Sequence, residues 1–205
     1  NKYYEHFDKY IKSQYFKNLL LYKVLFLRGK VRKVNSNISV TEGLKIFELI
    51  KKYKPKKLIE IGLACGISAC YMISAISPGD KIYSVDPFQK IEWDRFGLIN
   101  ANQIVNELEL PKNTHHWIPL FSKDYFDKTD DKYDFMLIDG DHSYEGTIID
   151  LMGSLKILNK NGILAVDDIL HEDVGKAVVD FMKKYNNNFE IIVTNVKTMG
   201  FYKKK

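Results

Sequence analysis

Two stretches of this chain place carboxylates where a strand gives way to a loop. The first, Tyr133-Asp-Phe-Met-Leu-Ile-Asp139-Gly-Asp141-His142-Ser-Tyr-Glu145-Gly, runs the apolar residues Phe135 to Ile138 into Asp139. The second, Gly162-Ile-Leu-Ala-Val-Asp167-Asp168, ends the same way. An acid at the C-terminal end of a buried strand sits on the edge where open α/β sheets take their ligands. His142, three residues after Asp139, adds a group that gains and loses a proton near neutral pH. A third stretch, Leu58-Ile-Glu60-Ile-Gly62-Leu-Ala-Cys-Gly66-Ile-Ser68, is an apolar strand followed by a glycine-bearing turn that opens a helix. Gly62 and Gly66 let the main chain turn sharply and approach a ligand where a Cβ would collide. Such a turn suits a nucleoside-containing cofactor, but its G-x-x-x-G spacing departs from the G-x-G-x-x-G that seats a pyrophosphate. Glu60 would also repel phosphate, so a cationic ligand fits better. Asp86, eighteen residues beyond Ser68, closes the run Lys81-Ile-Tyr-Ser-Val and stands where an acid accepts ribose hydroxyls.

The elements that must carry these groups alternate. Strands are expected near 57–62, 81–86, 115–120, 133–139, 162–167, 189–194 and 198–203, with helices near 67–77, 97–109, 144–158 and 173–185. Alternation of this kind predicts a Rossmann-like α/β fold, a parallel sheet wrapped by helices on both faces. The last connection, Asn195-Val-Lys-Thr198, is too short for a crossover, so the final strand must return antiparallel. Upstream, Thr41 is expected to cap a helix through Leu44, Phe47 and Ile50 that stops at Lys54-Pro55. Tyr3, Phe7, Tyr10, Ile11, Tyr15 and Leu19 fall at helical spacing and predict one or two amphipathic helices. Residues 1–36 therefore read as a helical segment on the acceptor side, and residues 37–205 as the sheet-bearing domain.

Composition narrows the function. With 205 residues and 45% hydrophobic content the chain can bury one good core. Its net charge of +5 comes from 31 Lys+Arg, only Arg28, Arg32 and Arg95 being arginine. Evenly spread lysine reads as a solvated surface rather than a nucleic-acid groove. The two cysteines, Cys65 and Cys70, lack metal-ligand spacing and suggest a reducing, cytoplasmic setting. The apolar run Asn18–Leu27, interrupted by Lys23, is too short to span a bilayer of ~30 Å, so no membrane association is expected.

The stretch from Glu60 to Ser68 resembles motif I, E/D-x-G-x-x-x-G-x-S, of class I S-adenosylmethionine-dependent methyltransferases, in the variant of the catechol and caffeoyl-CoA O-methyltransferase group. The resemblance spans about residues 38–203. It implies a seven-stranded sheet closed by an antiparallel hairpin, S-adenosylmethionine as cofactor, and cofactor contacts from Glu42, Glu60, Gly62, Gly66, Ser68, Asp86, Ser122 and Asp139. Glu42 belongs to Thr41-Glu42-Gly43, similar to the T/S-x-E-G segment at the cofactor's methionine end, and Ser122 stands where the family binds adenine. In the class I strand order the strands ending at Asp139 and Asp167 are neighbours, ~4.8 Å apart. Three carboxylates crowded there call for a divalent cation, magnesium first, with calcium or manganese as alternatives. Asp139, Asp167 and Asp168 thus look like the metal ligands of cation-dependent O-methyltransferases, where the pair is usually Asp-Asn. An Asp-Asp pair with a histidine three residues after the first Asp recurs in macrolide-sugar O-methyltransferases, and I-D-G-D-H-S-Y-E-G resembles a stretch typical of a broad group of bacterial and viral methyltransferases, many attached to glycan pathways.

The implied reaction is attack of an acceptor hydroxyl on the sulfonium methyl, with His142 as catalytic base. The acceptor is then a small hydroxylated molecule, sugar-like before catechol-like, and a homodimer is compatible. Asp141, Ser143 and Glu145 read as the cap of the following helix, His171 and Glu172 as the start of another, and Trp93 as either packing or a roof over a ligand. His115-His116 carries no assigned role. Two other functions compete: a metal-independent methyltransferase acting on RNA or another macromolecule, and a binding module that kept the fold without turnover. The Asp/Asn-Pro-Pro-Tyr of base N-methylation is replaced by Ile138-Asp-Gly-Asp, which counts against the former.

Overall fold

The apolar runs around Leu58, Met136 and Leu164 are continuous rather than alternating because each is an inner strand buried on both faces. A computed structural model describes residues 38–205; the helices expected within residues 3–28, and with them the 1–36 segment, lie outside the described residues. The elements run α1 (Val40–Tyr53), β1 (Lys57–Ile61), α2 (Ile67–Ala75), β2 (Lys81–Val85), α3 (Phe96–Glu107), β3 (His115–Ile118), α4 (Ser122–Lys128), β4 (Tyr133–Ile138), α5 (Tyr144–Ile157), β5 (Leu158–Val166), α6 (Glu172–Lys184), β6 (Phe189–Val196) and β7 (Met199–Lys204). They build a seven-stranded sheet in the order β3-β2-β1-β4-β5-β7-β6. β3 through β5 are parallel, and β7 runs antiparallel to both β5 and β6. The Rossmann-like sheet and its antiparallel terminal hairpin are as the sequence predicted.

Each inner strand feeds two cores. Leu58, Phe135, Leu137, Ile163 and Ala165 pack with Ile46 and Leu49 of α1, Met72 of α2 and Ile104 of α3. Ile59, Met136, Ile138, Leu164 and Val166 pack on the other face with Leu151 of α5 and Val174, Ala177 and Phe181 of α6. At ~25 cal/mol per Å² of apolar surface, these two layers supply most of the drive to fold. They also hold the carboxyl ends of β1, β4 and β5 side by side.

The helix α1 begins one residue earlier than its expected cap. Ser39, not Thr41, is the N-cap: its Oγ accepts the Glu42 amide, and Glu42 Oε2 accepts the Ser39 amide at 2.7 Å. A capping box satisfies two free amides where Thr41 would satisfy one. The short helix α4 was not expected, because its seven residues bury only Tyr125 and Phe126 and show too little periodicity. β5 starts at Leu158 rather than 162, since Asn159-Lys160-Asn161, with Asn161 left-handed at φ 66°, forms a bulge and not a turn.

Candidate active site at the carboxyl edge of the sheet

The order of strands reverses between β1 and β4, and at such a point the crossovers leave to opposite faces and open a crevice. Gly62 follows β1 there at φ 89°, and a Cβ on it would stand 2.0 Å from the carbonyl oxygen of Asp139. Only glycine lets the turn lie this close to the end of β4. Gly66, at φ 76°, is the N-cap of α2, and its would-be Cβ meets the Gly97 carbonyl at 2.6 Å. The turn is therefore pinned between β4 and the start of α3.

Asp86 holds that turn from the other side. Its Oδ2 accepts the amides of Leu63 and Ala64 at 3.2 and 2.9 Å and the Gln89 side chain at 2.8 Å, while Oδ1 accepts Phe88 N at 2.7 Å. The carboxylate at the end of β2 thus shapes the loop it faces. Gln89 was missed from the sequence: fully buried, it also bonds the Ala64 carbonyl at 2.8 Å, and its Oε1 has no partner among the described residues. Nothing in the run Asp86-Pro-Phe-Gln89 distinguishes it from a solvent-facing loop glutamine. Phe88 and Phe121 make an edge-to-face pair at 5.7 Å, and both are exposed on this edge.

Glu60 lies beneath the turn rather than in the crevice. Its side chain is fully buried in the sheet, accepting Ser68 Oγ at 2.6 Å and Ser84 Oγ at 2.5 Å. Burial pushes its carboxyl up to about 8, the charges of Asp139 and Asp86 add to this, and the two hydroxyls pull it back. Ser84 also meets His115 Nε2 at 2.7 Å, and burial lowers that imidazole to about 4. His115, which carried no role in the sequence, completes a polar chain across β1, β2 and β3. Ser122 opens α4, and its hydroxyl bonds Asp150 of α5. Burial raises the Asp150 carboxyl to about 7, and its Oδ1 has no hydrogen-bond partner among the described residues.

Around the tips of β4 and β5 the acids converge. His142 Nε2 lies 3.4 Å from Asp139 Oδ1 and 3.6 Å from Asp168 Oδ2. Ligand atoms of Asp139, His142 and Asp168 all fall within 4.8 Å of one another. Asp168 reaches this group from a left-handed backbone, φ 52°, an arrangement that costs a non-glycine residue about 1 kcal/mol or more. Burial raises the Asp139 carboxyl although the His142 bond and charge oppose it. His142 is raised chiefly by its hydrogen bond to Asp139, against the effect of burial. Two partly desolvated carboxylates and an imidazole in one small volume fit a divalent cation, which would cancel their repulsion.

Asp167 stands beside this group and outside it. Its Oδ1 accepts Asp168 N at 2.8 Å and faces Thr198 Oγ1 at 3.1 Å. Burial and the neighbouring Asp139 raise its carboxyl to about 7. Glu42, expected at the cofactor's methionine end, is also buried and faces the same threonine, with Thr198 N at 2.9 Å and Oγ1 at 2.6 Å from its Oε1. Burial works to raise the Glu42 carboxyl, yet the bonds from Ser39 and Thr198 hold it below the usual range. Thr198 was read only as the end of a tight connection, since a sequence does not say what a hairpin tip touches. As expected, Ser143 caps α5 by accepting Gly146 N at 3.1 Å, and Asp141 accepts Ser143 N at 2.9 Å.

A separate cleft of about 400 Å³ lies at the opposite, amino edge of the sheet, lined by Lys54, Lys56, Asp134, Lys160 and Lys203 among others. It contains none of the expected site residues. No described helix is long and apolar enough to cross a membrane.

Comparison with solved structures returns the same architecture. An O-methyltransferase from Bacillus cereus in complex with SAH is 14% identical, with 98% of this chain and 97% of that one covered at a TM-score of 0.67. The SAH-bound methyltransferase PaMTH1 from Podospora anserina is 12% identical over 100% and 96% of the two chains, at 0.69. The O-methyltransferase TomG from Streptomyces achromogenes, involved in tomaymycin synthesis and solved with SAM, is 14% identical over 89% and 95%, at 0.63. At such identities the likeness establishes the fold. No curated protein matches the sequence. A family model described as a methyltransferase domain matches residues 59–169, more than half the chain, from the middle of β1 through both groups of acids. This chain, with its glycine turn and strand-tip carboxylates all inside the matched span, belongs to the methyltransferase domain family.

Proposed function

We propose that the protein is an S-adenosylmethionine-dependent O-methyltransferase that acts, with a divalent cation, on a hydroxyl of a small, sugar-like acceptor. The observation that carries this reading is the gathering of Asp139, His142 and Asp168 within 4.8 Å, next to the Gly62 turn at the sheet's switch point. The named activities of the Bacillus cereus enzyme and TomG, and their bound SAH and SAM, support it.

The cofactor would lie over Gly62 and Ala64, where the main chain is open, with its ribose toward Asp86 and its adenine toward Ser122 and the Phe88–Phe121 pair. Stacking on such aromatic faces favours a planar base. Its ammonium and sulfonium would face Asp139 and Glu42, whose negative charge suits a cationic ligand as it disfavours phosphate. Asp139 and Asp168 would hold the cation, with Asp167 adjoining. When bound, such an ion lowers the pKa of an acceptor hydroxyl and orients it. His142, exposed and with its Nε2 3.4 Å from Asp139 Oδ1, would accept the hydroxyl proton at its imidazole. Bound S-adenosylmethionine would supply the electrophilic methyl group for the hydroxyl oxygen, the electron pair of the broken carbon–sulfur bond leaving with sulfur. The active form of the imidazole is the neutral one, so turnover should rise with pH through its pKa.

The test is binding and turnover with S-adenosylmethionine and a panel of hydroxylated acceptors, with and without chelator. Saturable binding with chelator-sensitive methyl transfer to a sugar hydroxyl is the expected result. No thermal stabilisation by S-adenosylmethionine or S-adenosylhomocysteine would end the reading, and full activity in chelator would remove the cation from it.

A further inference from the structure

The terminal hairpin reaches the site from the side opposite the glycine turn. Lys197 is left-handed at φ 54°, and the tight tip it makes presents Thr198 both to α1 and to the loop that follows β5. Thr198 N donates to Glu42 Oε1 at the start of α1, its carbonyl accepts Ile169 N at 2.8 Å beyond β5, and its hydroxyl lies between Glu42 Oε1 and Asp167 Oδ1 at 2.6 and 3.1 Å. Both carboxylates are buried, at 3% and 7% exposure. A threonine hydroxyl carries one proton, so it donates to one of these two acceptors at a time. Each of these oxygens also accepts one backbone amide, so the hydroxyl decides which of the two buried carboxylates gains a second bond.

We propose that Thr198 is a positioning residue through which binding of the cationic cofactor and binding of the divalent cation reinforce each other. This rests on the proposed reading of Glu42 at the cofactor's methionine end and of Asp139 and Asp168 as cation holders. A positive group arriving at Glu42 gives its Oε1 a further partner beside the Thr198 amide and frees the Thr198 hydroxyl for Asp167 Oδ1. That oxygen also accepts the Asp168 amide, so serving it fixes the left-handed Asp168 in place against Asp139 and His142. The converse holds by linkage: ordering the Asp168 loop around a cation draws the hydroxyl from Glu42 and leaves that carboxylate to the cofactor. The Thr198 amide stays on Glu42 throughout, so the hairpin remains seated and the coupling runs through the hydroxyl alone.

The experiment measures S-adenosylmethionine affinity by calorimetry with and without saturating Mn²⁺, in the wild type and in Thr198→Ser, Thr198→Val and Thr198→Ala. The wild type and the serine variant should bind the cofactor roughly tenfold tighter with Mn²⁺. The valine variant should lose that enhancement while keeping each separate affinity within a few fold and its melting temperature within a few degrees. A threonine that merely supports the hairpin would instead weaken both ligands and lower the melting temperature together. Alanine reports the same loss of hydroxyl if valine does not fold. Equal enhancement in the valine or alanine variant, no enhancement in the wild type, or no Mn²⁺ binding at all would overturn the coupling and leave cofactor binding standing. Absence of cofactor binding in the wild type would instead refute the proposed function itself.

Discussion

Glu60 offers the sharpest test of how this fold carries its acids. The residue is fully buried, its hydrogen-bond partners among the described residues are the Ser68 and Ser84 hydroxyls, and its carboxyl sits at about 8 against an ordinary 4.5. Glutamine has the same shape and can meet both serines, donating to one and accepting from the other. The sign follows from linkage: a carboxyl raised on folding binds more protons folded than unfolded, so its contribution to stability is full below pH 4.5 and is lost as pH climbs toward 8. At ~1.4 kcal/mol for each tenfold change in acidity, the loss is at most about 4–5 kcal/mol, a large share of the ~5–15 kcal/mol that holds a domain together. Asp150 and Asp167 titrate over a similar range, so the informative quantity is the difference between wild type and Glu60→Gln in urea unfolding from pH 4 to 9. The two should be nearly equal at pH 4–5, with the variant ahead by several kcal/mol at pH 9. A difference that stays constant with pH would mean that the serines suffice to keep the carboxylate charged, and the burial argument would be wrong.

Four further outcomes follow from the geometry. Asp86→Ala leaves Leu63 N, Ala64 N, Phe88 N and Gln89 without their acceptor, so it should lower stability by about 2–4 kcal/mol as well as weaken S-adenosylmethionine, read by thermal shift with and without cofactor. Gly62→Ala would force a Cβ to within 2.0 Å of the Asp139 carbonyl, and circular dichroism should find a chain unfolded or severely destabilised. His142→Ala should cut kcat by roughly 10²-fold or more while leaving cofactor Kd within about twofold; equal loss of both would make the histidine structural. Ser39→Ala should cost about 1 kcal/mol and Thr41→Ala almost nothing, a contrast that denaturant unfolding can read directly.

Sequence alone determined the sheet, the antiparallel return of its last strand and the strand ends on which the acids sit. Those properties are local: Phe135–Ile138 is apolar whatever surrounds it, Gly62 is followed by a helix pattern, and four residues cannot make a crossover. The cap at Ser143 was legible for the same reason, since a capping oxygen serves amides two or three residues away. Tertiary structure decided which way each acid turns. Glu60 faces into the sheet because Ser68 and Ser84, from α2 and β2, supply hydroxyls there, and Asp86 faces the Gly62 turn because Leu63 and Ala64 present amides to it. Asp168 reaches Asp139 and His142 by taking a left-handed backbone that no spacing foretells. Asp167 is drawn instead toward Thr198, a partner 31 residues along the chain, and Gln89 and Thr198 became visible only when strands distant in sequence were brought edge to edge. A carboxylate's address is written in its own segment, but its charge and its direction belong to the groups that the fold packs against it.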